Sequence, residues 1–144
     1  MSVILSTAID IQAPASDVWA VLTDFPTYGE WSTFSKVDGI ATMGSKLAMR
    51  MPGFNFGSTV TTVRPNEELE WSAQLFNAGV FNGAHTFTLT SNPDGTTRLT
   101  NTETFSGWLL RPFEGFFKHG KGSDGGGYAS FNQALKKRVE AKVN

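Results

Sequence analysis

At 144 residues the chain is long enough for one domain with a sizeable core. Its net charge of −1, from 12 basic and 13 acidic side chains, gives no reason to expect nucleic acid as a partner. The absence of cysteine excludes disulfides, thiolate metal sites and cysteine nucleophiles; two histidines, His85 and His119, are too few for a histidine-rich metal centre.

Val3 to Ile11 reads as a strand. Ala13-Pro14 closes it, and proline suits the first turn of a helix. Val18, Trp19, Val21 and Leu22 recur at helical spacing to about Thr23, and Asp24 opens a second short helix ending near Trp31. Residues 34–42 and 45–52 read as strands joined near Met43-Gly44, and residues 56–64 and 68–76 as a pair joined by Pro65-Asn66-Glu67. A hairpin follows, turning on Pro93-Asp94-Gly95, where proline sets φ, aspartate bonds back to the backbone and glycine accepts positive φ. Beyond it lie an irregular stretch from Ser106 to Pro112 and an aromatic run around Phe113, Phe116 and Phe117. Five glycines then fall in the eight residues Gly120 to Gly127. The last helix is predicted from about Tyr128 to Lys142. Phe131, Ala134, Leu135, Arg138 and Val139 form its inner stripe, with Lys136, Lys137 and Glu140 outward. Alternating strands with tight turns imply an antiparallel sheet, and one long helix across a curved sheet encloses a space. The expected fold is α+β, one domain over residues 1–144.

The hairpin carries the main chemical signal. Folding it about Asp94 sets Leu89 against Leu99, Phe87 against Asn101, His85 against Glu103 and Gly83 against Phe105, all on one face. The other face is threonine and arginine. An apolar face that bears an imidazole, an amide and a carboxylate suits the inside of a cavity better than a packed core. Imidazole can take and return a proton near neutrality, the carboxylate would orient it, and the Asn101 amide would donate to a carbonyl oxygen. His85, Glu103 and Asn101 are therefore the candidate catalytic residues. The other reading is a buried ion pair that fixes strand register.

Trp71, on the preceding strand, falls beside His85 if the chain turns near Ala78. Trp31, Phe34, Trp71, Phe87, Phe105, Trp108, Phe116, Phe117 and Phe131 would wall a flat unsaturated ligand, or else form ordinary core. Met49 and Met51 would be adaptable wall residues, with Arg50 solvated on the opposite face. The hydroxyls of Tyr28 and Tyr128 are candidate donors to a ligand carbonyl. Arg98 falls on the wet face. The glycine-rich segment lacks the Gly-x4-Gly-Lys-Ser/Thr order of a phosphate loop and reads as a lid or as disorder. His119, between Lys118 and Lys121, reads as an exposed basic patch.

Ile11-Gln-Ala-Pro-Ala-Ser-Asp-Val-Trp19, Leu22-Thr-Asp-Phe25 and Tyr28-Gly-Glu-Trp31 resemble the opening of the START-like, helix-grip (SRPBCC) superfamily. Gly83 to Leu89, Gly95 to Gly107 and Phe131 to Glu140 extend the resemblance to its polyketide cyclase/dehydrase branch, over nearly the whole chain. The resemblance implies a curved seven-stranded antiparallel sheet gripping a C-terminal helix, with two short helices after strand 1 and an internal cavity. The superfamily also holds lipid carriers, hormone receptors, pollen-allergen-type binders and a co-chaperone domain. The glycine-rich interruption before the last helix departs from its usual pattern.

The leading expectation is a cyclase or dehydratase acting on a hydrophobic, oxygen-bearing small molecule, with His85 as general base and acid and with no metal or organic cofactor. The rival is a carrier that binds a lipid-like or aromatic ligand without reaction; a partner-binding module is a third. No basic leader with an apolar run, no apolar stretch of about 18 residues and no Asn-x-Ser/Thr sequon occur, so a soluble cytoplasmic protein without a membrane span is expected.

Overall fold

The computed structural model describes residues 2–51, 54–75, 81–107 and 128–143. Strand β1 (Ser2–Ile11) leads into helix α1 (Ala15–Leu22), whose start is set by Pro14 in extended conformation at the cap. A 3-10 turn (Phe25–Thr27) and the single-turn α2 (Tyr28–Trp31) follow. Then come β2 (Lys36–Asp38), β3 (Lys46–Met51), β4 (Phe54–Arg64), β5 (Glu68–Leu75), β6 (Phe81–Ser91), β7 (Thr97–Ser106) and helix α3 (Tyr128–Val143).

The seven strands form one antiparallel sheet in the order β1-β7-β6-β5-β4-β3-β2. Consecutive strands from β2 to β7 are neighbours, while β1 crosses to pair with β7. Strand β7 therefore has a partner on each side, so neither of its backbone edges is open. A bulge at Thr61 shifts the β4–β5 register between Val60 and Thr62, and such a bulge bends a sheet. With α3 laid against the concave face, this is the helix-grip arrangement that the resemblance implies.

Burial follows the expected alternation. Thr97, Leu99, Asn101 and Glu103 of β7 point inward and are buried. Helix α3 buries Phe131, Asn132, Leu135 and Val139, and α1 buries Val18, Val21 and Leu22. Arg138 is not part of the apolar stripe: its Nη2 reaches Glu30 Oε1 at 2.9 Å and ties α3 to α2. Lys136 is not simply outward either, since its Nζ donates to the Asp10 carbonyl at 2.8 Å and to Glu140 at 2.6 Å.

The strand expected over residues 34–42 is cut to three residues. Gly39 has φ +133, and a Cβ there would lie 2.5 Å from Leu47 Cδ2, so the chain leaves the sheet where only glycine fits. The predicted turn at Pro65-Asn66-Glu67 forms with Asn66 at φ 66, which asparagine tolerates.

Candidate active site

The hairpin places the polar groups. Strands β6 and β7 pair His85 with Glu103, Phe87 with Asn101 and Gly83 with Phe105, while β5 sets Trp71 opposite His85. His85 Nδ1 lies 3.0 Å from Glu103 Oε2. The oxygen is off the line of an aligned hydrogen bond, so Oε2, though shut off from water, keeps an unused acceptor direction. The other ring nitrogen, Nε2, donates to Asn101 Oδ1. Asn101 Nδ2 in turn donates to Asn132 Oδ1 of α3 at 2.9 Å. A single column thus runs from Glu103 through His85 and Asn101 to Asn132.

Gly83 makes room for the carboxylate. A Cβ at this position would stand 2.9 Å from Glu103 Oε1, so a side chain there would push the glutamate off its place beside the ring. Tyr128, at the start of α3, meets the His85 ring edge-on with centroids 5.2 Å apart. Burial, and after it the nearby Glu103 charge, push its phenol well above the usual tyrosine range, so it stays a neutral donor. The imidazole is stacked on Phe87 at 4.5 Å and 17°, with Trp71 at 5.3 Å.

Beyond this column the interior is filled with rings. Phe25 and Tyr28 pack edge-on at 5.4 Å, while Trp71 and Phe87 at 5.1 Å and Phe87 and Phe131 at 5.4 Å are tilted against each other. Phe34 meets Phe131 at 6.2 Å, and half-buried Trp31 meets Tyr28 at 4.9 Å. Phe25, Tyr28 and Phe87 are 0% exposed, against 8% for His85 and 9% for Glu103.

Two expected ligand donors have partners inside the protein. The Tyr28 hydroxyl donates to the Leu22 carbonyl inside the protein, and burial, then the Asp24 charge, hold the phenol neutral; it closes the α1–α2 corner. Asn101 is also 0% exposed, and its amide is bonded at both ends, to His85 and to Asn132. Met49 is buried and its sulfur accepts from Ser58 Oγ at 2.9 Å, whereas Met51, at the end of β3, is half-buried. Phe105 and Tyr128 are half-buried at the end of the sheet that holds Gly83 and Glu103. Phe116, Phe117, Trp108, His119 and the Gly120 to Gly127 segment lie outside the described residues.

Sequence reasoning did not find Asn132. Its signal was an amide next to Phe131, four residues after Tyr128 and three before Leu135, on a face expected to be apolar. Among the described residues, no group of three or more His, Asp or Glu side chains is placed to hold a metal ion, and no helix is long and apolar enough to cross a membrane.

Comparison with known proteins agrees with this architecture. The family described as polyketide cyclase / dehydrase and lipid transport matches residues 2–140. The crystal structure of the Zhui aromatase/cyclase from Streptomyces sp. R1128 superposes with TM-score 0.74 at 15% identity, covering 100% of this chain and 97% of that one. Norcoclaurine synthase from Thalictrum flavum, in complex with dopamine and hydroxybenzaldehyde, superposes with TM-score 0.72 at 13% identity, covering 98% and 88%. Protein MLL2253 from Mesorhizobium loti gives TM-score 0.69 at 22% identity, covering 96% and 98%. At these identities the likeness is one of fold. No curated protein matches the sequence.

Proposed function

Because the chain belongs to the polyketide cyclase / dehydrase and lipid transport family, we propose that it binds a hydrophobic, oxygen-bearing small molecule and promotes ring closure or dehydration by proton transfer. One observation carries the reading: His85 Nδ1 stands 3.0 Å from a Glu103 oxygen that is sealed from water and makes no aligned hydrogen bond. A pair that served only to fix strand register would be expected to close that bond.

The roles follow from the atoms that remain free. His85 Nε2 is held by Asn101, so the proton-exchanging unit is Nδ1 with Glu103. The pair removes a proton from a carbon beside a carbonyl, and the electron pair moves onto the carbonyl oxygen as an enolate. The neutral Tyr128 phenol is the donor suited to that oxygen. The enolate carbon attacks a second carbonyl of the same molecule, and the new alkoxide takes the proton back from the pair. Loss of that hydroxyl with a neighbouring C–H proton releases water. Trp71 and Phe87 back the ring, half-buried Phe105 beside the pair is the aromatic side chain suited to a flat unsaturated ligand, and no metal or organic cofactor enters the scheme. Cytoplasmic residence fits such chemistry on a biosynthetic intermediate.

The test uses a linear aryl poly-β-ketone as probe and mass spectrometry as readout. The protein should yield a cyclised product lighter by one water, and His85→Gln, shown folded by circular dichroism, should not. Tight binding of the probe with no change in mass would instead identify a carrier, and full turnover by His85→Gln would remove the histidine from the mechanism.

A further inference from the structure

We propose that Asn132, on α3 and out of contact with any ligand, is a positioning residue that decides which nitrogen of His85 keeps its proton. The inference rests on the proton-transfer reading above and adds to it the origin of the ring's orientation.

Two side-chain amides link α3 to the ring. Asn132 Oδ1 can only accept, and it takes a hydrogen from Asn101 Nδ2 at 2.9 Å. The Asn101 amide is planar, so with its nitrogen turned toward α3 its oxygen is turned toward the ring. That oxygen also can only accept, and its partner is His85 Nε2. Nε2 must therefore carry a hydrogen whether the ring is neutral or charged. The proton that comes and goes is left to Nδ1, 3.0 Å from Glu103 Oε2.

The arrangement is not free of cost. Asn132 is 2% exposed and its Nδ2 is buried with no hydrogen-bond partner. A well-packed leucine would avoid the penalty of a buried unpaired group. An asparagine kept there is explained if its oxygen is the part in use.

The spacing suits the role. Tyr128 and Asn132 are one helical turn apart on the same face of α3, and Asn101 and Glu103 are alternate residues on β7, so helix and strand repeat at similar intervals. Tyr128 covers the ring while Asn132 anchors the amide behind it. Among the described residues, the titratable groups facing the His85 ring are Glu103 from β7 and Tyr128 from α3. Strands β5 and β6 present Trp71 and Phe87, which do not titrate.

The test is nitrogen-15 NMR of the whole chain with labelled histidine, followed across pH without ligand. His119 is the only other histidine, so His85→Gln assigns the signals. Nε2 is expected to stay protonated at every pH at which the chain is folded, with the Nδ1 shift alone moving. Asn132→Leu removes the acceptor, frees the Asn101 amide to turn, and should bring in the tautomer protonated at Nδ1. Asn132→Asp keeps an oxygen in place and should restore the wild-type pattern. A neutral wild-type ring protonated at Nδ1 would overturn the proposal, as would an unchanged spectrum in folded Asn132→Leu. If Asn132→Leu does not fold, the wild type and Asn132→Asp still decide it, because a ring protonated at Nδ1 in either contradicts the scheme. The spectrum needs no substrate, so a protein inactive on the poly-β-ketone probe can still show the Nε2 proton. The two readings therefore fail separately.

Discussion

The two ends of the interior are built from the same face of the same hairpin, yet they differ in kind. Toward the turn, Phe87, Leu89 and Leu99 join Phe25, Tyr28, Phe34 and Phe131 in a core whose members are at most 6% exposed. Toward the other end, two residues beyond the Phe87–Asn101 pair on each strand, His85 and Glu103 face each other beside half-buried Phe105 and Tyr128. A core and a polar site thus alternate along one strand pair with no change in backbone geometry. The lesson is that the helix, not the sheet, separates them: Phe131 and Leu135 cover the first end, while Tyr128 and Asn132 address the second.

This contrast can be broken from either side, and the largest effect is expected at the packed end. Phe25→Ala should lower stability by about 3–5 kcal/mol in urea unfolding, because a fully buried ring leaves a cavity. Loss of less than about 1 kcal/mol would mean that this end is loosely filled. Gly83→Ala acts at the other end. Its methyl would press on Glu103 Oε1, so turnover of the poly-β-ketone probe should fall at least about tenfold while stability changes by no more than about 1 kcal/mol. Wild-type turnover in this variant would show that the carboxylate's place does not matter.

Alkaline titration reads both ends together. Tyr28 and Tyr128 are the only tyrosines, and both phenols are held above their ordinary value by burial first and a nearby carboxylate second. The fold favours the neutral phenol, so its contribution is fully present below the unfolded pKa, about 10, and is lost as pH rises above it. Tyrosinate absorbance should therefore appear only together with unfolding. An early rise from one tyrosine in the folded protein would contradict that burial. The smallest effect is expected at the surface of α3. The Glu140 carboxyl is held below its usual range by the Lys136 ammonium first and the Gln12 amide second. Its contribution is present above the unfolded value and lost as pH falls through the folded one. Lys136→Met should lower stability at neutral pH by less than about 1 kcal/mol, with the part due to Glu140 vanishing in acid while the lost bond to the Asp10 carbonyl remains.

Much of the fold was legible because single residues pin it. Pro93-Asp94-Gly95 fixes the hairpin register, and the facing pairs from Gly83–Phe105 to Leu89–Leu99 follow from it by counting. The Trp71–His85 pairing follows in the same way from the preceding strand. What was not legible depends on contacts between distant segments. The early end of β2 reflects Gly39 lying against Leu47, which no local pattern encodes. The destination of the Tyr28 hydroxyl, the Leu22 carbonyl, depends on how α1 and α2 meet. Asn132 was hidden because helical spacing gives a residue's face but not the strand atom it will find there.

The central claim is that the Nδ1–Glu103 pair removes a proton from carbon beside a carbonyl. Deuterium uptake by a simple aryl ketone, 4-phenylbutan-2-one, tests it without knowledge of the natural ligand. In deuterium oxide the wild-type protein should speed label incorporation next to the carbonyl above the buffer rate. Glu103→Gln, equally folded, should lose about 100-fold or more of that acceleration. Equal rates for wild type, variant and buffer would contradict the account.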